Sequence, residues 1–332
     1  MLRGPAPLQG ETLGATRRNY TAFLYIIPSL ALVIIFNYIP ILESFYRSLF
    51  AWRGGSRAIY LGLENYRELL GDSGFGVSVR NMLQLLGFHL IAIVTMPLLV
   101  AELIFGIRHK PGLSHGYRLL FVIPMVVPQL VVLLIWSFIY DGEVGLLNAV
   151  LRSVGLGHVT RGWLADPSTA LYAIMGVGFP WVQGTAVLIY LAGLLAVSEE
   201  IWDVTRLDGI KGLRRFFSID LHLIMGQIKL LVILTIINQT QYFVGILVLT
   251  GGGPGYATLV PGLYLYQQAF DHARMGYANA VGVVLFIFLM AITVLNMTIL
   301  RSDTGTRRST ARTRRQLRAV ARTIDARGGQ LP

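Results

Sequence analysis

The chain has 332 residues, 54% hydrophobic and 14% charged, with a mean hydropathy of +0.61. Soluble domains carry about 25% charged residues, so too few charges remain to coat a water-exposed surface, and lipid is the expected solvent for much of it. The lack of cysteine excludes disulfides, thiolate metal sites and cysteine nucleophiles, and the net charge of +11 demands a basic region whose place decides between nucleic acid and membrane.

A membrane-spanning helix needs about 20 mainly apolar residues, because the hydrocarbon core is about 30 Å thick and each residue rises about 1.5 Å. Residues 1–19 fall short of this and are read as a cytoplasmic segment. Span one follows at about Tyr20 to Ser44. Its apolar run is too long for a signal-peptide core and no A-x-A pattern follows, so no cleaved leader is expected. Behind it, Leu61 to Leu70 (LGLENYRELL) has apolar residues at helical spacing and is predicted to lie as a short amphipathic helix at the interface. Span two covers Met82 to Phe105, with Glu102 near its end read as a snorkelling or paired carboxylate. Span three covers Tyr117 to Tyr140 and carries Gln129, and a loop of Gly, Asn and Trp residues follows from Asp141 to Pro167.

Spans four (Thr169 to Val197) and five (Leu223 to Thr250) are the least uniform, because both contain polar residues. Span five holds Asn238, Gln239, Thr240, Gln241 and Tyr242 in succession. Successive helical residues point about 100° apart, so this run surrounds the helix. Its amides and phenol can donate or accept at the hydroxyls of a sugar, or can tie helices together by hydrogen bonds. Span four offers Tyr190, Gln183 and Trp181, and the Trp181 ring can stack on a pyranose or serve in ordinary packing.

Between these two spans runs Glu199 to Leu223 (EEIWDVTRLDGIKGLRRFFSIDLHL). A connector inside a bundle can be a few residues long; this one is long, charged and amphipathic. Ile201, Val204, Leu207 and Ile210 recur at three-residue intervals, Asp208-Gly209 breaks the pattern, and Leu213, Phe216, Phe217 and Ile219 form a second run. Two short helices about a glycine turn are predicted, suited to docking a cytoplasmic partner. After span five, Gly251 to Gly255 (GGGPG) cannot continue a helix and must turn. Span six covers Ala278 to Leu300, which closes a transmembrane domain over 20–300.

Residues 301–332 hold Arg307, Arg308, Arg312, Arg314, Arg315, Arg318, Arg322 and Arg327. No aromatic residue is interleaved for base stacking. The segment is therefore read as a disordered cytoplasmic tail beside anionic membrane lipid, and no nucleic-acid partner is expected. With the N-terminus inside, the positive charges of the inner segments outweigh those outside, so both termini are predicted cytoplasmic. Pro28, Pro40, Pro97, Pro124, Pro128 and Pro180 lie within spans and predict kinks or hinges.

The 199–223 loop resembles the cytoplasmic signature of ABC importer permeases, a Glu-Ala-Ala run followed by Asp-Gly and an apolar stretch ending near Leu-Pro. Glu200 opens it, and Asp203-Val204-Thr205 stands where Glu-Ala-Ala would be. Asp208, Gly209, Phe216 and Ile219 match, and Leu221-His222 replaces Leu-Pro. The carbohydrate-uptake branch, which includes the maltose and glycerol-3-phosphate permeases, has stretches similar to LGLENYRELL, Phe121 to Trp136, GLLN (Gly145 to Asn148), WLADP (Trp163 to Pro167), LAGL (Leu191 to Leu194), Leu249 to Phe270 and GYA (Gly276 to Ala278).

This resemblance implies an all-α polytopic protein with six transmembrane helices in the type I ABC importer (MetI-like) permease fold, in a bacterial cytoplasmic membrane. It implies half of a translocation pore for a sugar or sugar-like solute, paired with a second homologous permease subunit. Two ATPase subunits would bind ATP and magnesium beneath it, so that no cofactor belongs to this chain, and an extracytoplasmic solute-binding protein would dock above. Asn238, Gln239, Gln241, Tyr242, Trp181 and Gln183 become the expected solute pathway. Gly251, Gly252, Gly253 and Pro254 become the loop expected to face the binding protein.

No Walker A sequence follows the glycines, no H-E-x-x-H or G-x-S-x-G occurs, and no histidines are spaced as a metal pair. No catalytic residue and no metal site are expected. The alternative is an ion-coupled secondary transporter, which predicts charges buried mid-span and often an internal repeat. It leaves the 199–223 loop unexplained.

Overall fold

The computed structural model describes residues 21–300; the N-terminal 1–19 segment and the Arg-rich 301–332 tail lie outside the described residues. Three helices are long and apolar enough to cross a bilayer unaided: Tyr25–Arg47, Ser73–Gly106 and Met275–Asn296. Three further stretches are long and apolar enough only as pairs of helices bent sharply at a short break. These are Pro111–Val126 with Gln129–Ile139 at 89°, Gly184–Leu195 with Glu199–Leu207 at 75°, and Gly212–Leu223 with Met225–Thr240 at 72°. Among the described residues the protein is all-α apart from one antiparallel hairpin, Phe50–Trp52 with Ala58–Tyr60. The interfacial helix expected over 61–70 forms as Glu64–Gly71.

The differences from six plain rods have local causes. Span two begins nine residues earlier than its apolar run, at Ser73 rather than Met82, because Asp72 caps it by accepting the Phe75 N–H at 3.1 Å. Span three breaks where Val127 turns extended (φ −71°, ψ 124°) ahead of Pro128, as the proline ring requires of its predecessor. Span four is two helices, Ala170–Gly176 and Gly184–Leu195, with residues 177–183 unwound between them. Span five stops at Thr240 and resumes as Val244–Leu249. Unwound backbone at membrane depth is tolerated only where it is buried in protein or lines a cavity.

The core is divided accordingly. One cluster gathers Leu85 of span two, Leu171 and Ile174 of span four and Ile246 and Leu249 of span five. The other gathers Ile93 to Phe105 of span two, Ala186 to Leu194 of span four and Leu231 of span five. Each of these spans passes from one cluster to the other, and spans four and five do so across their breaks. Close approach needs small residues at the crossings; a side chain at Gly184 would collide with the Phe121 carbonyl.

Candidate functional site

A cavity of about 260 Å³ lies at the seam between the two clusters. Span two supplies His89, which stands halfway along Ser73–Gly106, and the unwound part of span four supplies Trp181 and Gln183. Span five adds Thr235, Asn238 and Gln239. Trp181 is held by three contacts. Its Nε1 donates to the Met175 carbonyl at 2.8 Å, and its ring meets Phe88 and Phe179 edge-on at 5.2 and 5.0 Å. Its backbone lies at φ 58°, a conformation costly for a non-glycine residue and retained where the surroundings dictate it.

The structure therefore brings together four of the six side chains expected along the pathway: Trp181, Gln183, Asn238 and Gln239. Gln241 and Tyr242 do not line the cavity. Tyr242 packs on the first cluster, with its hydroxyl against Gly245, and Gln241 is exposed at the end of its helix. Gln239 Oε1 is buried and accepts no hydrogen bond, so that oxygen ties no helices together. His89 was not singled out by sequence reasoning. A lone histidine carries no spacing signal, and its place opposite two breaks in other spans is a tertiary fact.

The 199–223 loop forms Glu199–Leu207 and Gly212–Arg215, followed by a wide helical turn over Phe216–Asp220. Gly209 turns between them at φ 66°, which glycine adopts without steric cost. The stripe at three-residue intervals faces outward. Trp202 and Thr205 are buried, whereas Val204 is 57% and Leu207 87% exposed. Glu200, Asp203, Asp208 and Gly209 are exposed as well. Phe216 and Ile219 pack on the second cluster. The burial of Trp202 is explained by Phe105 at 5.0 Å, capped by the Arg108 guanidinium 4.1 Å from the Phe105 ring centre. Arg215 then bonds both Asp220 at 2.9 Å and Glu102 of span two at 3.2 Å. The loop is an anchored foot with an apolar sole.

At the opposite end, the glycine turn is tied down on several sides. Thr258 donates to the Gly253 carbonyl at 2.8 Å, and Gln267 donates to the Gly251 carbonyl at 3.2 Å. Asn81 of span two donates to the carbonyls of Tyr256 and Leu259, at 3.0 and 2.9 Å. Gly251 and Gly252 take positive φ, and Pro254 follows Gly253. Nearby, Asp72 accepts hydrogen bonds from the hydroxyls of Tyr264 and Tyr277. Burial alone would raise the Asp72 carboxyl; the bonds from Tyr264, the Phe75 N–H, Tyr277 and the Gly74 N–H outweigh it and hold it below its ordinary 3.8.

No family model matches the sequence. The chain is 32% identical over 276 residues to the probable ABC transporter permease protein YurN of Bacillus subtilis, covering 83% of this chain and 94% of that protein. It is 30% identical over 295 residues to the diacetylchitobiose uptake system permease protein NgcF of Streptomyces coelicolor, covering 86% and 83%. Its fold matches a solved chain of a bacterial ABC transporter involved in the import of the acidic polysaccharide alginate. The TM-score is 0.75 at 20% identity, covering 87% of this chain and 97% of that one. Likeness of this extent, over more than four-fifths of the chain, makes it a member of the ABC transporter permease family, a multi-pass membrane subunit of an importer and not itself an enzyme.

Proposed function

We propose that this permease forms one half of a pore for a sugar or sugar-like solute, with the seam cavity as its half of the pathway. The observation that carries the reading is the cavity itself: an aromatic platform and uncharged amides, at mid-depth, where span four is unwound beside the last helical turn of span five before its break. Discontinuous helices at that depth mark solute sites in transporters, and no charged side chain lines this one. An ion-coupled carrier is expected to bury a charge there. The sugar uptake in the name of the Streptomyces coelicolor relative supports the solute class.

In this reading a second, similar permease closes the other side of the cavity. The exposed sole of the foot, with Glu200, Asp203, Val204, Asp208 and Gly209, docks one of two ATPase subunits, which bind ATP and magnesium, while Thr205 faces inward beneath it. Phe216 and Ile219 fix the foot to the bundle. The turn at Gly251, Gly252, Gly253 and Pro254 faces an extracytoplasmic binding protein, and both termini lie in the cytoplasm of a bacterial inner membrane. Affinity capture of the tagged chain from its native membrane, with mass spectrometry, tests this directly. An ATPase, a second permease and a binding protein are the expected companions. Sugar uptake by the purified chain alone would overturn the proposal.

A further inference from the structure

Resting on the pathway reading above, we infer that His89 makes the cavity selective for neutral, hydroxyl-rich glycans over acidic ones. His89 Nδ1 lies 2.8 Å from the Leu85 carbonyl one helical turn back. A carbonyl oxygen only accepts, so the ring must donate there, and in the neutral imidazole the proton is then fixed on Nδ1. Nε2 is left as a bare lone pair on a side chain that lines the cavity. No carboxylate lines the cavity to stabilise an imidazolium, and the ring is further wedged by an edge-on contact with Phe88 at 5.4 Å.

Asn238 and Gln239 line the same cavity, and side-chain amides can hydrogen-bond to sugar hydroxyls. A bare acceptor beside the Trp181 platform asks for a ligand that brings an O–H donor and an apolar ring face. A neutral sugar has both. A uronate or a sugar phosphate would set oxygen lone pairs against Nε2, and no Lys or Arg lines this chain's side of the cavity to offset its charge.

The test uses the complete purified transporter with the binding protein omitted, so that only the cavity selects. Saturation-transfer NMR reads weak binding of maltose, cellobiose, diacetylchitobiose and digalacturonate. The wild type is expected to bind at least one neutral disaccharide and to give no signal with digalacturonate. His89→Phe removes the lone pair and is expected to weaken the neutral ligand about tenfold, the worth of one hydrogen bond. His89→Arg supplies a cation and is expected to create a digalacturonate signal, a gain that misfolding cannot mimic. Unchanged neutral binding in His89→Phe, or equal wild-type binding of digalacturonate, overturns the inference and leaves the pathway reading standing. Failure of the wild type to bind any sugar overturns both.

Discussion

Arg215 of the foot reaches Glu102 of span two, 113 positions away in the chain, at 3.2 Å. The same guanidinium holds Asp220, whose side chain is wholly buried. One oxygen of each carboxylate is buried without a partner, so the arginine is the main support for both. A substitution Arg215→Met should destabilise the protein by roughly 3 kcal/mol, the low end for a broken buried pair, because the arginine is partly exposed. Adding Glu102→Gln should recover part of that loss, since it removes one stranded charge. Thermal unfolding of the single and double variants in detergent checks this, and strict additivity would sink it.

Gly209 has open space where a side chain would project, so only its φ of 66° constrains it. Gly209→Val should cost about 1–2 kcal/mol locally and lower uptake per ATP hydrolysed in reconstituted vesicles. Gly209→Asn, a residue that tolerates this region, should keep coupling close to normal. Equal coupling in all three proteins would remove the turn from the docking account.

Gln239 separates a structural role from a functional one. If its amide tied helices together, Gln239→Leu would lower thermal stability. With Oε1 buried and unpaired, the substitution should leave stability unchanged or raise it, while uptake falls by about tenfold, the scale of one lost hydrogen bond. A melting point several degrees below wild type would refute that.

Asp72 gives a dependence on pH. Its carboxyl is held below 3.8, so the stability it contributes is present above the unfolded value and is lost as pH falls through the lower folded value. Asp72→Asn should be about 1 kcal/mol less stable at neutral pH, a modest figure because the carboxylate is only partly buried. The gap between the two proteins should close as the solution is acidified below 3.8. Melting curves between neutral and strongly acidic pH would show it, and a gap that persists would contradict the cap.

Much of the architecture was legible from apolar run length alone, because the thickness of hydrocarbon fixes the length of a helix that crosses it. The motif stretches also have physical content that the sequence could not display. Asn148 of GLLN accepts from Trp163 Nε1 of WLADP at 2.8 Å and donates to the Gly142 and Arg161 carbonyls at 2.8 and 2.9 Å. Asn65 of LGLENYRELL donates to the Ser48 carbonyl at 2.7 Å, and Gly276 of GYA lies where a side chain would strike the Phe50 carbonyl. These residues pin loops to distant backbone. The site was half legible. Polar residues stood out against apolar spans, but periodicity cannot say where a helix unwinds. Tyr242 was therefore grouped with Gln239 although the break turns it away, and His89 passed unnoticed. Trp202 of the foot is buried for a related reason that periodicity does not show: Phe105 and the guanidinium groups of Arg108 and Arg215 come to it.

The two packed clusters share no buried side chain, and among spans two, four and five only span two runs between them as one unbroken helix. Span two is thus the continuous tie between the clusters, and any tilt of one against the other must be taken up at residues 177–183 and 241–243 and by bending of that helix beside His89. Amide hydrogen exchange should resolve two separately protected blocks, with residues 177–183 and 241–243 exchanging first.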